Sequence, residues 1–398
     1  MRDIPSDVFR QILSLLPAEL LLQLRCVCKA WRNTVDDPTF INLHLHRQIH
    51  ASSNGVGQLI LRGELDSRLY ALPLESLNNS DVSKEIIRNM PLIHNPFEGF
   101  GLMKLEVGSC NGIMLISHSN GHNFLWNLLT REFRKLPPPK ITIKKSTGLY
   151  LSVRGLGYDC VADDYNVVKI AQVFDPRNRI LKSETLVYSL KFDSWRKIKD
   201  LPYRISRLGG GILLNGALHW ISTTKPFKSM DNLIIGLDLG SEDYRVLLLP
   251  VALPGPKKPS ATHLGVLDGC LILSCYYQIE RLDVWLMKDY GVRNSWIKLF
   301  SVSRLDNIGA VETLRPISYS KCKRWVLLQH DKKEFFWFDV EINICKKIRV
   351  HCPPTTFSSH FCVPSLVRLN VGGGDGGCSK ARKQARDKGK ILFEVELL

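Results

Sequence analysis

Two carboxylate pairs, Asp163–Asp164 and Glu242–Asp243, and two histidines one helical turn apart, His46 and His50, have the types and spacing for chemistry in this 398-residue chain. Neighbouring carboxylates can do general acid–base work, and histidines at i and i+4 on a helix can ligate zinc. The surroundings support neither. Each acidic pair falls where a hairpin turn is expected, and turns favour Asp because its side chain bonds nearby backbone N–H groups. No cysteine or carboxylate stands at metal-site spacing from His46 and His50. "GLGYDC", residues 155–160, has two of the three glycines of a dinucleotide fingerprint but precedes a strand rather than a helix. "NVGGGDGGCSKARK", residues 370–383, lacks the GxxxxGK[ST] spacing and reads as a flexible linker. There is no GxSxG elbow. The eleven cysteines are odd in number, form no CxxC pair and recur in apolar runs such as "GCLILSCYY". They read as reduced core residues rather than disulfides or zinc ligands. The expectation is a chain without catalytic residues, cofactor or metal.

The elements that such residues would need are of two kinds. With 44% hydrophobic and 23% charged residues the chain is neither disordered nor fibrous. No apolar run approaches the roughly 20 residues that span a bilayer, and charges and a proline stand where a signal peptide has its apolar centre. The expected location is nucleus and cytoplasm, with no membrane partner.

Residues 4–35, "IPSDVFRQILSLLPAELLLQLRCVCKAWRNTV", carry a helical period. Val8, Phe9, Ile12, Leu13 and Leu16 fall on one side of a first helix, with Pro5 set for its first turn and Asp3 or Ser6 near its cap. Pro17 stops it and starts a second, on which Leu20, Leu21, Leu24, Val27 and Cys28 share one face while Leu22 and Cys26 lie opposite. A third short helix carries Trp31 and ends at Pro38. A module of about 45 residues is too small to enclose a full core. Its surplus apolar face therefore reads as a docking face for another protein.

From about residue 55 to 370 the helical period gives way to short β-branched and aromatic runs separated by Gly, Pro, Asn and Asp. Five units recur at about 45-residue spacing, each with a Gly-bearing strand pair, an acidic or Asn turn, an aromatic strand and a basic strand ending in Leu-Pro or an equivalent. "VGSCNGIMLI" with "FLWNLLTREFRKLPPP" is one; "GGILLNGALHWIS" with "LIIGLDLGSEDYRVLLLP" is another. Such periods mark propeller blades, and Trp195, Trp220, Trp285, Trp296, Trp325 and Trp337 recur as blade-core aromatics would. A sixth blade assembles from both ends, residues 58–74 with "HFCVPSLVRL", residues 360–369, which would leave no long unpaired edge. The fold class is thus α+β multidomain, a small three-helix module followed by an all-β, six-bladed propeller. A β-sandwich fits the repeat length less well.

"IPSDV", "ILSLLP", "RCVCKAW" and "DPTF" followed by "LHLH" resemble the F-box. "GSCNGIMLI", "WNLLTREFRKLP", "GLGYDCVADDYNVVKI" and "VYSLKFDSWRKI" are similar to the F-box-associated, kelch-related domain of plant F-box proteins. The domains are then an F-box at 1–45, a connecting segment at 46–57, the propeller domain at 58–370, and a Gly-rich linker with a basic tail at 371–398. The resemblance implies a substrate receptor of a Skp–cullin–F-box ubiquitin ligase, without catalysis of its own. Its Skp-type adaptor, and through it the cullin, would meet Ile4, Pro5, Ile12, Leu13, Leu16, Pro17, Leu20, Leu22, Leu24, Val27, Cys28 and Trp31. The substrate site would lie on the propeller at residues the motifs do not name. Within the family the chain is similar to a negative regulator of defence, which implies an intracellular immune receptor as target.

A net charge of +16 could attract nucleic acid or an acidic partner, and a non-ligase scaffold for either is the alternative. The basic residues are dispersed over the repeats, however, and no nucleic-acid-reading motif is present. They cluster only in "SKARKQARDKGK", residues 379–390, which reads as a solvated tail, an import signal or a weak anionic-surface contact.

Overall fold

Prolines punctuate the N-terminal helices because each fixes φ and lacks a donor. Pro5 immediately precedes α1 (Ser6–Leu13), Pro17 precedes α2 (Ala18–Leu24), and Pro38 opens α4 (Pro38–Ser52) directly after α3 (Lys29–Asp36). The computed structural model describes residues 5–52, 57–64, 68–77, 86–87, 92–93, 96–97, 103–118, 121–143, 149–175, 180–206, 210–223, 232–250, 259–277, 281–303, 313–350 and 356–369. Two expectations are corrected here. The module has four helices rather than three, because "TFINLHLHRQIHAS" continues as a helix into the segment expected to be a connector. And α2 ends at Leu24, so Val27 and Cys28 lie in the turn before α3 rather than on the α2 face.

The remaining described chain forms six antiparallel sheets. Blade two comprises 103–110, 113–118, 123–127 and 132–135; blade three 149–159, 164–175, 180–189 and 194–197. Blade four pairs 212–214 and 204–205 with 217–223, then adds 232–238 and 244–247. Blade five is built from 261–267, 270–277, 281–287 and 296–303, and blade six from 314–319, 325–330, 334–339 and 344–350. Residues 86–87 add a short parallel strand to the edge of blade six. Blade one closes the ring. Its innermost strand is Phe357–Cys362, paired from Gln58↔Cys362 to Gly63↔Phe357 with the first strand of the propeller. The closing strand therefore begins earlier than 360, and residues 363–369 leave the sheet altogether.

A single turn design repeats. In 127–131, 159–163, 238–242 and 339–343 the leading Asn or Asp accepts from the backbone N–H groups two and three residues on. In 189–193 Ser189 caps Phe192 instead. The fifth residue of each turn is left-handed: Arg131, Asp163, Asp193, Glu242 and Asn343 have φ between 50° and 60°. Asp and Asn tolerate that region best among residues with a side chain. Both acidic pairs sit in or beside these turns. Asp163 accepts from the Tyr158 hydroxyl, Asp164 from Ser189 Oγ and Lys191 N, and Glu242 pairs with Arg196.

Tryptophans lock neighbouring blades. Trp195 Nε1 donates to the Pro137 carbonyl (2.6 Å) and Trp296 Nε1 to the Leu248 carbonyl (3.0 Å), so the Leu-Pro ending of one blade is fastened by the next. Trp220, Trp296 and Trp337 are buried, whereas Trp195, Trp285 and Trp325 are half-buried. Gly155 and Gly157 serve blade spacing. A Cβ at Gly155 would lie 2.9 Å from Leu218 Cδ1 of blade four.

Candidate docking surfaces

Inside the helical module, Leu13, Ala18, Leu21, Val35, Phe40, Ile41 and Leu45 are buried. Trp31 packs edge-on against Phe9, with centroids 5.1 Å apart. His44, fully buried on α4, donates from Nε2 to the Leu16 carbonyl (2.9 Å) and so fixes the α1–α2 corner. Burial holds its imidazole below the ordinary histidine range. Arg10 pairs with Asp37 and Arg25 with Asp36, both at 2.7 Å, clamping α3 to the first two helices.

The module does not stand alone. Its core is continuous with Leu366, Val367 and Leu369 of the C-terminal segment and with Ile113, Leu115 and Leu125 of blade two. Asn127, fully buried, donates from Nδ2 to the carbonyls of Ser365 (3.0 Å) and Val367 (2.8 Å). Arg368 then bridges Glu132 of blade two (2.7 Å) and Asp36 of α3 (2.5 Å). Burial alone would raise the Asp36 carboxyl, but the guanidiniums of Arg25 and Arg368 more than reverse this and hold it below its usual range. Gly112 lets this strap pass: at φ +80°, it would place a Cβ 2.8 Å from the Val363 carbonyl. Part of the apolar surplus seen in the sequence is thus spent on the propeller.

The rest faces solvent. Val8 (48%), Ile12 (49%) and Leu15 (72%) follow an i, i+4, i+7 spacing along α1 and its C-terminal turn, and Leu20 (38%) and Val27 (62%) are exposed as well. Of the residues expected to meet a partner, Pro5, Ile12, Pro17, Leu20, Val27 and Cys28 are exposed, and Leu16, Leu22, Leu24 and Trp31 are half-buried against the core. Leu13 is a correction: at 2% exposure it is a core residue and has no surface to offer. Ile4 lies outside the described residues, as does the tail at 379–390. Leu15, absent from the expected contact residues, lies with Val8 and Ile12 on the exposed side of the α1 stripe, away from the buried Leu13.

Among the described residues no three His, Cys, Asp or Glu side chains gather as a metal would require, and no helix is long and apolar enough to cross a membrane. The nine described cysteines are free thiols. Cys110, Cys275, Cys345 and Cys362 are buried as expected, but Cys26, Cys28, Cys160 and Cys322 are exposed, which corrects their reading as core residues.

Comparison with known proteins agrees with this two-part design. The F-box domain matches residues 1–43, and the F-box associated beta propeller domain matches residues 63–369. F-box protein CPR1 of Arabidopsis thaliana is 35% identical over 92% of this chain and 89% of its own length. A second Arabidopsis thaliana F-box protein is 29% identical over 92% of this chain and 90% of its own. An F-box/kelch-repeat protein of the same plant is 26% identical over 79% and 82%. With proline-punctuated helices strapped to a six-bladed ring, and with both halves matched, the chain belongs to the F-box proteins that carry an F-box associated β-propeller domain.

Proposed function

We propose that this protein is the substrate receptor of a Skp–cullin–F-box ubiquitin ligase and carries out no chemical step itself. The observation that carries the reading is the exposure of Val8, Ile12, Leu15, Leu20 and Val27 on a module whose core is already filled. Exposed apolar side chains grouped on one small module mark a protein-binding surface. The partner of that surface is a Skp-type adaptor, which links the receptor to a cullin. The propeller holds the target, and holding target and ubiquitin donor together replaces a rare bimolecular encounter. The target is an intracellular immune receptor, so the protein acts as a negative regulator of plant defence, in nucleus and cytoplasm.

Adaptor binding tests this directly. Apolar anchors cost about 2–4 kcal/mol on loss, or roughly 30- to 1000-fold in affinity. An Ile12→Asp, Leu15→Asp variant is expected to lose the adaptor in a pull-down while the propeller keeps its thermal unfolding profile, because neither side chain is in the core. Binding at full strength would refute the receptor reading.

A further inference from the structure

The channel along the propeller axis encloses about 550 Å³. At the F-box end Ile49 and His50 of α4 join the Asn111–Gly112 and Asp268–Gly269 turns in its wall. The other half of the wall is different. Strand 314–319 runs from the far end towards the F-box, and Arg315 is its second residue. With it stand His263 of blade five and His360 of the closing strand.

Among the described residues, the hydrogen bonds of Arg315 all run through Nη2, to Gln329 Oε1 (3.2 Å), Ser359 Oγ (2.8 Å) and the Ser359 carbonyl. All three acceptors are neutral, and among the described residues no carboxylate pairs with the guanidinium, while Nε and Nη1 find no acceptor. Among the described residues the acidic group in the channel wall is Asp268, at the opposite end and held by Lys323 at 2.8 Å. Burial acts against the Arg315 charge, and that charge helps to keep His263 and His360 neutral. A half-buried cation with no counter-charge among the described residues is held at a free-energy penalty that an anion would relieve. Arginine's planar fork is also the group best matched to an oxyanion, and two of its nitrogens are left over here.

We propose that the far half of the channel binds a small oxyanion, phosphate- or carboxylate-bearing, seated on Arg315 between blades five, six and one. The volume of the whole channel lies within the roughly 300–1,000 Å³ of small-ligand pockets. A bound anion would join the closing strand to blades five and six, and so add to ring closure.

The competing role for Arg315 is a purely structural tie between blade six and Ser359, and the test separates the two. The full chain is titrated with pyrophosphate and with citrate, reading heat and thermal unfolding, against sodium chloride at equal ionic strength. Pyrophosphate or citrate is expected to raise the unfolding temperature where chloride does not, and the anion that does so identifies the phosphate or carboxylate class. Arg315→Gln is expected to weaken that binding at least about tenfold. Should Arg315→Gln fail to fold, His360→Glu serves: it leaves the Nη2 bonds to Ser359 and Gln329 in place, supplies an internal carboxylate, and is expected to abolish the anion-induced shift. Shifts no larger than those of chloride, or binding untouched by the variant that folds, would overturn the site.

Discussion

Asn127 shows how much one side chain carries when every polar atom is used. Its Oδ1 caps the 127–131 turn through Leu129 N and Thr130 N, while its Nδ2 holds the Ser365 and Val367 carbonyls. Leaving buried backbone groups unpaired costs about 1–3 kcal/mol each. Asn127→Leu strands groups on both sides and is expected to destabilise the chain by about 3 kcal/mol in chemical denaturation. Asn127→Asp keeps the turn cap but sets a carboxylate against two carbonyl oxygens, and should loosen the strap as much while the turn survives. Amide exchange at 365–369 and at 129–130 would distinguish the two variants. Equal protection in both segments of Asn127→Asp would refute the division of labour. The Arg368 bridge is a lesser case. Its partners Asp36 and Glu132 are partly open to solvent, so it contributes direction to the strap more than stability.

At the scale of elements, the C-terminal stretch does two jobs in succession. Phe357–Cys362 closes blade one, and 363–369 straps the F-box to blade two. Three truncations separate these jobs. A chain ending at Leu369 is expected to unfold like the full protein. One ending at Cys362 keeps the ring but releases the helices, and should show a separate, early loss of helical signal. One ending before Phe357 bares the whole edge of strand 58–63 and should be insoluble or unfolded near ambient temperature. If the shortest chain matched the longest in thermal unfolding and solubility, closure by this strand would be wrong.

For the whole molecule, buried histidines (His44, His219 and His360) and the half-buried His263 set the response to acid. His44, His219, His263 and His360 all have folded-state pKa values lowered chiefly by burial, His360 to about 3. The unfolded chain takes up protons near pH 6.5 and the folded chain does not, so their contribution is fully present above that pH and is lost as pH falls below it. Each contributes up to about 1.4 kcal/mol per pH unit once its unfolded form is protonated. Stability measured by denaturant at pH 7, 6 and 5 is therefore expected to fall steadily. His360→Gln should make that fall shallower by roughly one histidine's share. An unchanged slope would mean that His360 takes up its proton in the folded state.

Features that depend on neighbours in the chain were legible in the residues alone. Prolines marked the helix starts, the Asn-Gly and Asp-rich turns marked the hairpins, and the 45-residue period with its tryptophans gave a six-bladed ring joined from both ends. These follow from local backbone preference and side-chain period, which act within a few residues. The fourth helix escaped because "TFINLHLHRQIH" has no strong apolar stripe, its stability coming from Phe40, Ile41 and Leu45 packed against the other helices. The strap and the channel lay further out of reach. Asn127 meets Ser365 across 238 residues and Arg315 meets Ser359 across 44, and nothing in either local pattern marks such a pairing. The N-terminal sequence announced more apolar surface than its helices could bury. Only the tertiary structure decided which part of it the propeller covers and which part is left for a partner, because that division depends on where the end of the chain returns.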